Sequence, residues 1–305
     1  MKEVRQITVS NDLKVEVFEY AVKKPKAMMI IIHGSVDHKA HYEEFAEFLQ
    51  SQSVIAILPD LRGHGVSYDK EIGLLSDNNN GWDLYKKDLT ILKDYYAYKY
   101  KGVPLFVIGH SMGAMILQDW LKQTPVDGAI ISGTGHTSPI MMRLGQIMIH
   151  QEAKAIGYAA RSPKLHKLIY GTLDKRAKKL GLDTFITRDK DQRKRYKSDP
   201  KCQFTITVDY ANELAKGILL VGKRSTYQID SHIPVLFISG EKDPVGGTNG
   251  SYVKQAASRY EKNGNDVTVY LYPEAFHNML QELNKDEVFE DVLEWVTTVV
   301  NLKTA

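Results

Sequence analysis

The chain has 305 residues and a single cysteine, Cys202, so no internal disulfide can form. Long apolar runs are also missing. Runs such as Ala27–Ile32 are far shorter than the roughly 20 residues that a membrane-spanning helix needs. The first residues do not have the pattern of an export signal. These absences favour a reducing, cytoplasmic location, with Cys202 as a small packing residue.

Charge of one sign is not in large excess, because the net charge is only +3. This balance argues weakly against a nucleic-acid partner. We find no zinc-type Cys/His spacing, phosphate-binding loop or dinucleotide fingerprint. The sequence therefore predicts neither a metal ion nor a cofactor. Its 43% apolar and 25% charged residues are ordinary for a globular protein of one large domain, or of a domain with an insertion.

The apolar residues that are present form short runs separated by stretches of helical periodicity. An alternating segment over residues 1–20 precedes them and is typical of a β-hairpin. Continuous apolar strands that alternate with helices predict an α/β fold, with a mostly parallel central sheet and helices on both faces. The runs are residues 27–32, 54–58, 105–108, 129–131, 235–238 and 267–271.

The alternation stops between residues 138 and 230, where the pattern is helical. We interpret 138–230 as a helical cap inserted into a core formed by 1–137 and 231–305. The cap is expected over the carboxyl edge of the sheet, where ligands bind in open α/β sheets. Its first apolar stripe consists of Met141, Leu144, Ile147 and Met148. For the methionines 141, 142 and 148, core packing is favoured over the lining of an acyl pocket.

The cap is strongly basic. Residues 161–201 contain fourteen Lys or Arg against five Asp or Glu, a local charge of +9. Since the whole chain carries +3, the remainder carries about −6. One interpretation is a surface for anionic lipid head groups or a phosphate-bearing substrate. The other is a set of solvated helix faces without a partner.

The most informative motif is the peptide 109–113, which reads G-x-S-x-G. It follows the apolar run 105–108 and precedes a predicted helix, which is the context of a nucleophile elbow. The glycines are needed because the turn is sharp and strained. Ser111 is the predicted nucleophile. The backbone N–H of Met112 would lie beside it at a helix N-terminus, where negative charge is favoured.

A serine nucleophile needs a base and an acid that orients the base, in the chain order Ser, Asp or Glu, His for this kind of fold. Asp243 follows the run 235–238 and precedes a proline, which favours an extended or turn conformation. Glu241 is its rival. His277 is the only histidine after the last predicted strand. The predicted triad is therefore Ser111, Asp243 and His277.

The second oxyanion donor is expected in the loop after the strand 27–32. That strand runs into His33-Gly34-Ser35. The backbone N–H groups of Ser35 and Met112 would together bind the tetrahedral oxyanion. One such donor is typically worth about 3 kcal/mol of transition-state stabilisation.

With these residues placed, the chain resembles the α/β-hydrolase family of monoacylglycerol lipases and bacterial lysophospholipases over nearly its whole length. The resemblance implies hydrolysis of a lipid-like ester, such as a monoacylglycerol or lysophospholipid, through an acyl-enzyme on Ser111 and without a cofactor. The sequence departs from the family at two positions, with Asp37 where Glu is frequent and Gln203 where Gly is usual. Both leave the triad intact and bear on substrate preference more than on reaction type. The matching segments are 33–34, 60–67, 109–113, 132–135, 240–244 and His277, with 186–189 and 199–205 in the cap. Within 60–67, a structural role for Arg62 at the sheet edge is preferred.

Other functions stay open at this point. The same fold could carry an aminopeptidase or a small-ester esterase, although a basic cap does not suit a cationic amino terminus. A non-catalytic relative could keep the fold and bind a ligand. The sequence gives neither the acyl length nor the oligomeric state.

Overall fold

The structure, a computed structural model, describes residues 2–76, 79–135 and 139–304. An eight-stranded sheet forms its centre. The strands are β1 (Lys2–Thr8), β2 (Lys14–Tyr20), β3 (Ala27–Ile32), β4 (Val54–Pro59), β5 (Leu105–His110), β6 (Gly128–Ser132), β7 (Val235–Gly240) and β8 (Val267–Tyr272). The helices are α1 (Glu43–Ser51), α2 (Gly81–Lys99), α3 (Met112–Trp120), α4 (Pro139–Ile156), α5 (Pro163–Lys178), α6 (Lys190–Ser198), α7 (Val208–Val221), α8 (Ser251–Asn263) and α9 (Lys285–Thr304).

The strand order is β1-β2-β4-β3-β5-β6-β7-β8. The first two strands pair as the predicted hairpin, and β2 joins β4 in the antiparallel sense. From β4 to β8 all neighbours are parallel. The mostly parallel sheet predicted from the apolar runs is therefore present. The carboxyl ends of β3, β5, β7 and β8 lie along one edge and lead into the predicted site residues.

Helices cover both faces of the sheet because successive strand residues point to opposite sides. In β3, Met28 and Ile30 pack with α2 and α3, whereas Met29 and Ile31 pack with α1 and α9. All six residues of β3 are buried. Burial on both faces explains why the strand is apolar throughout rather than alternating.

Helices α4, α5, α6 and α7 lie between β6 and β7, in the stretch that the sequence assigns to a cap. We call the described residues 139–230 the cap segment. The predicted boundary between 137 and 138 lies outside the described residues. In the part of the chain that the structure describes, no helix is long and apolar enough to cross a bilayer.

The prediction of core packing for the methionines of α4 is wrong for Met141, confirmed for Met142, and holds only in part for the half-buried Met148. Met141, Leu144 and Ile147 are 61%, 52% and 54% exposed, whereas Met142 and Ile149 are buried. Helix α4 packs on α7 through its other side. Helical spacing tells which residues share a face. Whether that face is buried depends on the neighbouring helices.

Candidate active site

The peptide 109–113 forms a tight strand-to-helix turn. Ser111 has φ 53° and ψ −114°, a strained backbone conformation for a residue with a side chain. A Cβ on Gly113 would lie 2.4 Å from the carbonyl oxygen of Ile32, and one on Gly109 would lie 2.4 Å from that of Gly113. Only glycine allows this close approach of backbones. The turn places Ser111 at the N-terminus of α3, as the sequence predicts for a nucleophile elbow.

Asp243 and His277 meet at the same edge of the sheet. The Nδ1 atom of His277 lies 2.9 Å from Oδ2 of Asp243, and both side chains are buried. The other carboxylate oxygen of Asp243 accepts the N–H of Val245 at 2.8 Å. Asp243, and not the rival Glu241, is thus the carboxylate that contacts the imidazole. An ionised Asp243 fixes the proton on Nδ1 and leaves Nε2 as an acceptor.

The Nε2 atom of His277 is buried and has no hydrogen-bond partner among the described residues. The His277 ring lies 4.7 Å from the ring of His110, the residue before Ser111. A Cβ on Gly34 would lie 3.1 Å from the His110 ring and 3.3 Å from Cβ of Ser111. The residue before the predicted nucleophile therefore packs on the predicted base, and no hydrogen bond joins Ser111 to His277 in this conformation. Such contacts are often long before substrate binds.

His110 is the second imidazole of this cluster. Burial, together with the charge of a protonated His277, lowers the pKa of His110 well below its ordinary value. His110 is therefore neutral over the physiological range. Its Nδ1 lies 3.3 Å from Oγ of Ser132. A neutral ring packed on His277 adds no positive charge that would oppose protonation of His277 during a reaction.

The loop after β3 carries the predicted oxyanion donor Ser35, and we call residues 33–38 the oxyanion loop. Val36 has φ 53°, which is unusual and costly for a β-branched residue. The backbone N–H of Val36 donates to the Tyr210 hydroxyl at 3.2 Å. Oγ of Ser35 lies 2.6 Å from that hydroxyl and also contacts the Tyr170 hydroxyl. Two tyrosines of the cap segment therefore hold the strained loop.

The direction of these bonds follows from His64. Its Nδ1–H donates to the Arg62 carbonyl at 2.9 Å, and burial, with a smaller effect of His33, lowers the pKa of His64 to about 3. His64 is thus neutral, and its Nε2 accepts the Tyr210 hydroxyl proton at 2.8 Å. The Tyr210 oxygen is left to accept from Val36 and Ser35. The sequence analysis missed Tyr210, because it lies 175 positions from Ser35 along the chain.

The 60–67 loop contacts the chain just after the oxyanion loop. Asp60 is fully buried and accepts the backbone N–H of Lys39 at 3.0 Å and its Nζ at 2.6 Å. Burial opposes this charge, but the Lys39 ammonium holds the pKa of Asp60 below its ordinary value. Arg62 pairs with Asp88 of α2 at 2.9 Å. The ion pair with Asp88 gives Arg62 a structural role.

The cap segment also contacts the loop that carries His277. The N–H groups of His277 and Asn278 donate to the carbonyls of Phe185 and Ile186 at 3.3 and 2.8 Å. The Phe185 ring lies 5.1 Å from the His277 ring. Arg188 forms an ion pair at 2.9 Å with Glu282, which is buried. The candidate base is therefore held between the sheet edge and the cap segment.

Comparison with known proteins agrees with this architecture. The chain is 24% identical to human (Homo sapiens) monoglyceride lipase over 280 residues, which is 90% of this chain and 83% of the lipase. A carboxyl esterase from Bacillus coagulans, solved in complex with glycerol, superposes with a TM-score of 0.84 at 19% identity and covers 98% of this chain and 99% of its own. A soluble variant of monoglyceride lipase from Saccharomyces cerevisiae, in complex with a substrate analog, gives 0.76 at 19% identity, over 98% and 95% of the two chains.

These comparisons confirm the α/β-hydrolase fold and the predicted resemblance to monoacylglycerol lipases. The predicted enzyme class, a carboxylic ester hydrolase, is confirmed as well. The family model described as "Serine aminopeptidase, S33" (Hydrolase_4) matches residues 23–284. Since that match spans most of the sequence, the chain belongs to this family of α/β-hydrolases.

Proposed function

We propose that the protein hydrolyses lipid-like carboxylic esters, such as a monoacylglycerol or lysophospholipid, through an acyl-enzyme on Ser111. The observation that carries the proposal is the buried contact of 2.9 Å between Asp243 and His277 beside the strained turn of Ser111. An acid, a base and a hydroxyl collected from three strand ends are the parts that acyl transfer needs.

In the proposed first step, Oγ of Ser111 attacks the ester carbonyl carbon and its proton passes to Nε2 of His277. The developing oxyanion accepts hydrogen bonds from the backbone N–H groups of Ser35 and Met112. Asp243 stabilises the imidazolium ion that forms. When the tetrahedral intermediate collapses, the carbon–oxygen bond to the alcohol breaks and His277 gives its proton to the leaving oxygen.

In the second step, water attacks the acyl-enzyme. His277 takes a proton from that water, and the resulting tetrahedral intermediate expels Oγ of Ser111. The proton returns from His277 to Ser111, and the free carboxylic acid leaves. None of these steps requires a metal ion or a cofactor.

The substrate class rests on similarity and on the cap segment. Similarity to monoglyceride lipases over 90% of this chain favours an ester of a small alcohol with a fatty acyl chain. The family description would also suit an aminopeptidase. We disfavour it, because residues 161–201 carry a net +9 and would repel a cationic amino terminus.

A substrate panel tests this proposal directly. Initial rates would be measured with p-nitrophenyl esters of increasing acyl length, monoacylglycerols, lysophospholipids and amino-acid p-nitroanilides. We expect turnover of the esters and labelling by a fluorophosphonate probe, which reports an activated serine. Faster cleavage of the anilides than of the esters would favour a peptidase over the proposed lipase. Absence of both turnover and labelling in folded protein would favour a ligand-binding function.

Tyr210 offers a test of the oxyanion loop. In Tyr210→Phe, the N–H of Val36, Nε2 of His64 and the Ser35 hydroxyl all lose a partner. The loop should shift, and kcat should fall about 10- to 100-fold while KM changes less. The reason is that the loop would stabilise the transition state more than the bound substrate. Steady-state kinetics with a soluble ester would measure this.

The matched control is Tyr170→Phe, which removes a hydroxyl that contacts the Ser35 side chain and the Tyr210 hydroxyl, but no main-chain group of the loop among the described residues. Its kcat should fall much less. Equal losses in the two variants would show that the main-chain contact of Tyr210 has no special role.

We also propose that the basic cap segment contacts anionic membrane surfaces. Helix α5 presents several exposed cationic residues, among them Lys175, Arg176 and Lys178. Each Lys or Arg near such a surface is worth about 1 kcal/mol, and screening shortens the range from about 10 Å at 0.1 M salt to about 3 Å at 1 M.

Vesicle sedimentation should therefore show binding to phosphatidylserine-containing vesicles that weakens as salt is added. Neutral phosphatidylcholine vesicles are the control, and Lys175→Glu with Lys178→Glu should reduce binding to the anionic vesicles. Binding that ignores salt and lipid charge would reject the electrostatic contact.

A further inference from the structure

Four residues with metal-binding side chains meet where the loop after β3 touches the cap segment. His38 and His41 come from that loop, and Asp199 and Cys202 come from the cap segment. One ligand atom from each residue lies within 4.8 Å of all the others. None of the four takes part in the reaction proposed above.

The distances between these atoms come close to those around a small four-coordinate ion. Nε2 of His38 lies 2.8 Å from Oδ2 of Asp199, and Nε2 of His41 lies 3.6 Å from the same oxygen. Sγ of Cys202 lies 3.9 Å from Nδ1 of His41, and within 4.8 Å of the ligand atoms of the other three residues. Around a tetrahedral zinc ion, with bonds of about 2.0–2.3 Å, ligand atoms are about 3.3–3.8 Å apart. Small movements would therefore complete such a site.

The hydrogen bonds of His41 prepare it as a ligand. Its Nδ1 lies 2.7 Å from Oδ1 of Asp37, which accepts the Nδ1 proton and leaves a lone pair on Nε2. That Nε2 is buried and has no hydrogen-bond partner among the described residues. A carboxylate behind an imidazole is the usual support of a metal-bound histidine. In His38 the nitrogen next to Asp199 is Nε2, at 2.8 Å.

Charge and burial point to the same kind of ligand. His38, His41 and Cys202 are at most 4% exposed, so water does not readily satisfy them. Bound to a metal ion, two imidazoles, one thiolate and one carboxylate would together carry −2, which a divalent cation neutralises. Mixed nitrogen and sulfur ligands select zinc and similar transition metals, whereas calcium and magnesium require oxygen.

We propose that His38, His41, Asp199 and Cys202 bind one transition-metal ion, with Zn²⁺ the best fit. Four protein ligands leave no open position, which is typical of a structural site and not of a catalytic one. The ion would connect the loop that carries Ser35 to the cap segment. It would therefore fix the approach of the cap to the candidate oxyanion hole through bonds stronger than the 2.8 Å contact of His38 with Asp199.

The pattern is visible in the sequence only in retrospect. His38-x-x-His41 and Asp199-x-x-Cys202 are each pairs at spacing i, i+3. Each pair alone is common, and 161 positions separate Cys202 from His41. A zinc motif of cysteine and histidine pairs does not describe these residues, because one of the four is an aspartate and the two pairs lie in different parts of the fold.

The test uses the full-length protein without a histidine tag, stripped by a chelator and then titrated with Zn²⁺ in a calorimeter. We expect one saturable equivalent and a higher unfolding temperature with Zn²⁺ than after chelation. Titration with Co²⁺ should give visible d–d bands of a tetrahedral ion together with a near-ultraviolet thiolate-to-cobalt charge-transfer band.

Cys202→Ser should abolish the charge-transfer band and weaken Zn²⁺ binding, because a hydroxyl is a poor substitute for a thiolate. Asp37→Asn should weaken binding about 10- to 100-fold through the loss of support for His41. The matched control is His232→Ala, which removes an exposed histidine that also contacts an aspartate, Asp230. It should still bind one equivalent.

Wild-type protein that takes up no saturable equivalent, with an unfolding temperature indifferent to Zn²⁺ and chelator, would overturn the proposal. So would a charge-transfer band that persists in folded Cys202→Ser. Should that variant fail to fold, the cobalt spectrum and thermal shift of the wild type decide by themselves. These readouts do not depend on ester hydrolysis, so they stand apart from the proposed function.

Discussion

Ser111→Ala should lower kcat for ester hydrolysis by about 10⁴- to 10⁶-fold, as loss of the nucleophile does in other triads. The reason is local, because the strained turn holds Ser111 next to His110, whose ring packs on that of His277. Residual turnover would come from the oxyanion donors and from substrate binding alone. The measurement is hydrolysis of a short-chain p-nitrophenyl ester, combined with labelling by a fluorophosphonate probe.

Ser51→Ala serves as the control, since Ser51 is exposed at the end of α1, away from the strand edge. It should label and turn over like the wild type. The variant Ser111→Ala should keep the thermal unfolding temperature of the wild type, because alanine is smaller than serine and adds no strain to the turn. Full turnover in a correctly folded Ser111→Ala protein would refute the acyl-enzyme proposal.

Asp243→Asn should lower kcat by about 10⁴-fold, whereas Glu241→Gln should change it by less than about tenfold. The amide of asparagine can donate a hydrogen bond to Nδ1 of His277, which would place the proton on Nε2. That tautomer cannot accept the proton of Ser111. Glu241 makes no such contact, although it lies only two residues away along the chain.

The two variants form a matched pair, because each replaces a carboxylate by its amide in the same turn. Steady-state kinetics over a pH series would compare them. A larger loss in Glu241→Gln would move the acid to Glu241 and would require a different arrangement of the turn after β7.

The strand ends could be predicted because each one combines a short apolar run with a motif soon after it. The runs 105–108 and 235–238 are buried throughout, whereas 267–271 is half-buried and includes Thr268. Ser111, Asp243 and His277 follow those ends. The prediction that they share one edge needed only the parallel order of the strands.

Contacts between the core and the cap segment could not be predicted in the same way. Tyr210 and Ser35 come together only through the packing of α7, and no local pattern records that packing. The stripe of Met141 and Leu144 has the correct helical period, yet it faces outward. Periodicity describes one helix, whereas burial depends on which neighbour covers it.

The backbone bonds from Phe185 and Ile186 to the His277 loop restrict how a substrate can enter. If the whole cap segment swung away as a rigid body, both bonds and the Arg188–Glu282 pair would break. His277 would then lose the contacts that hold its loop when the substrate binds. Residues 185–188 therefore form a fixed part of the rim around the candidate site, and any opening for a substrate has to come from movement of other parts of the cap segment.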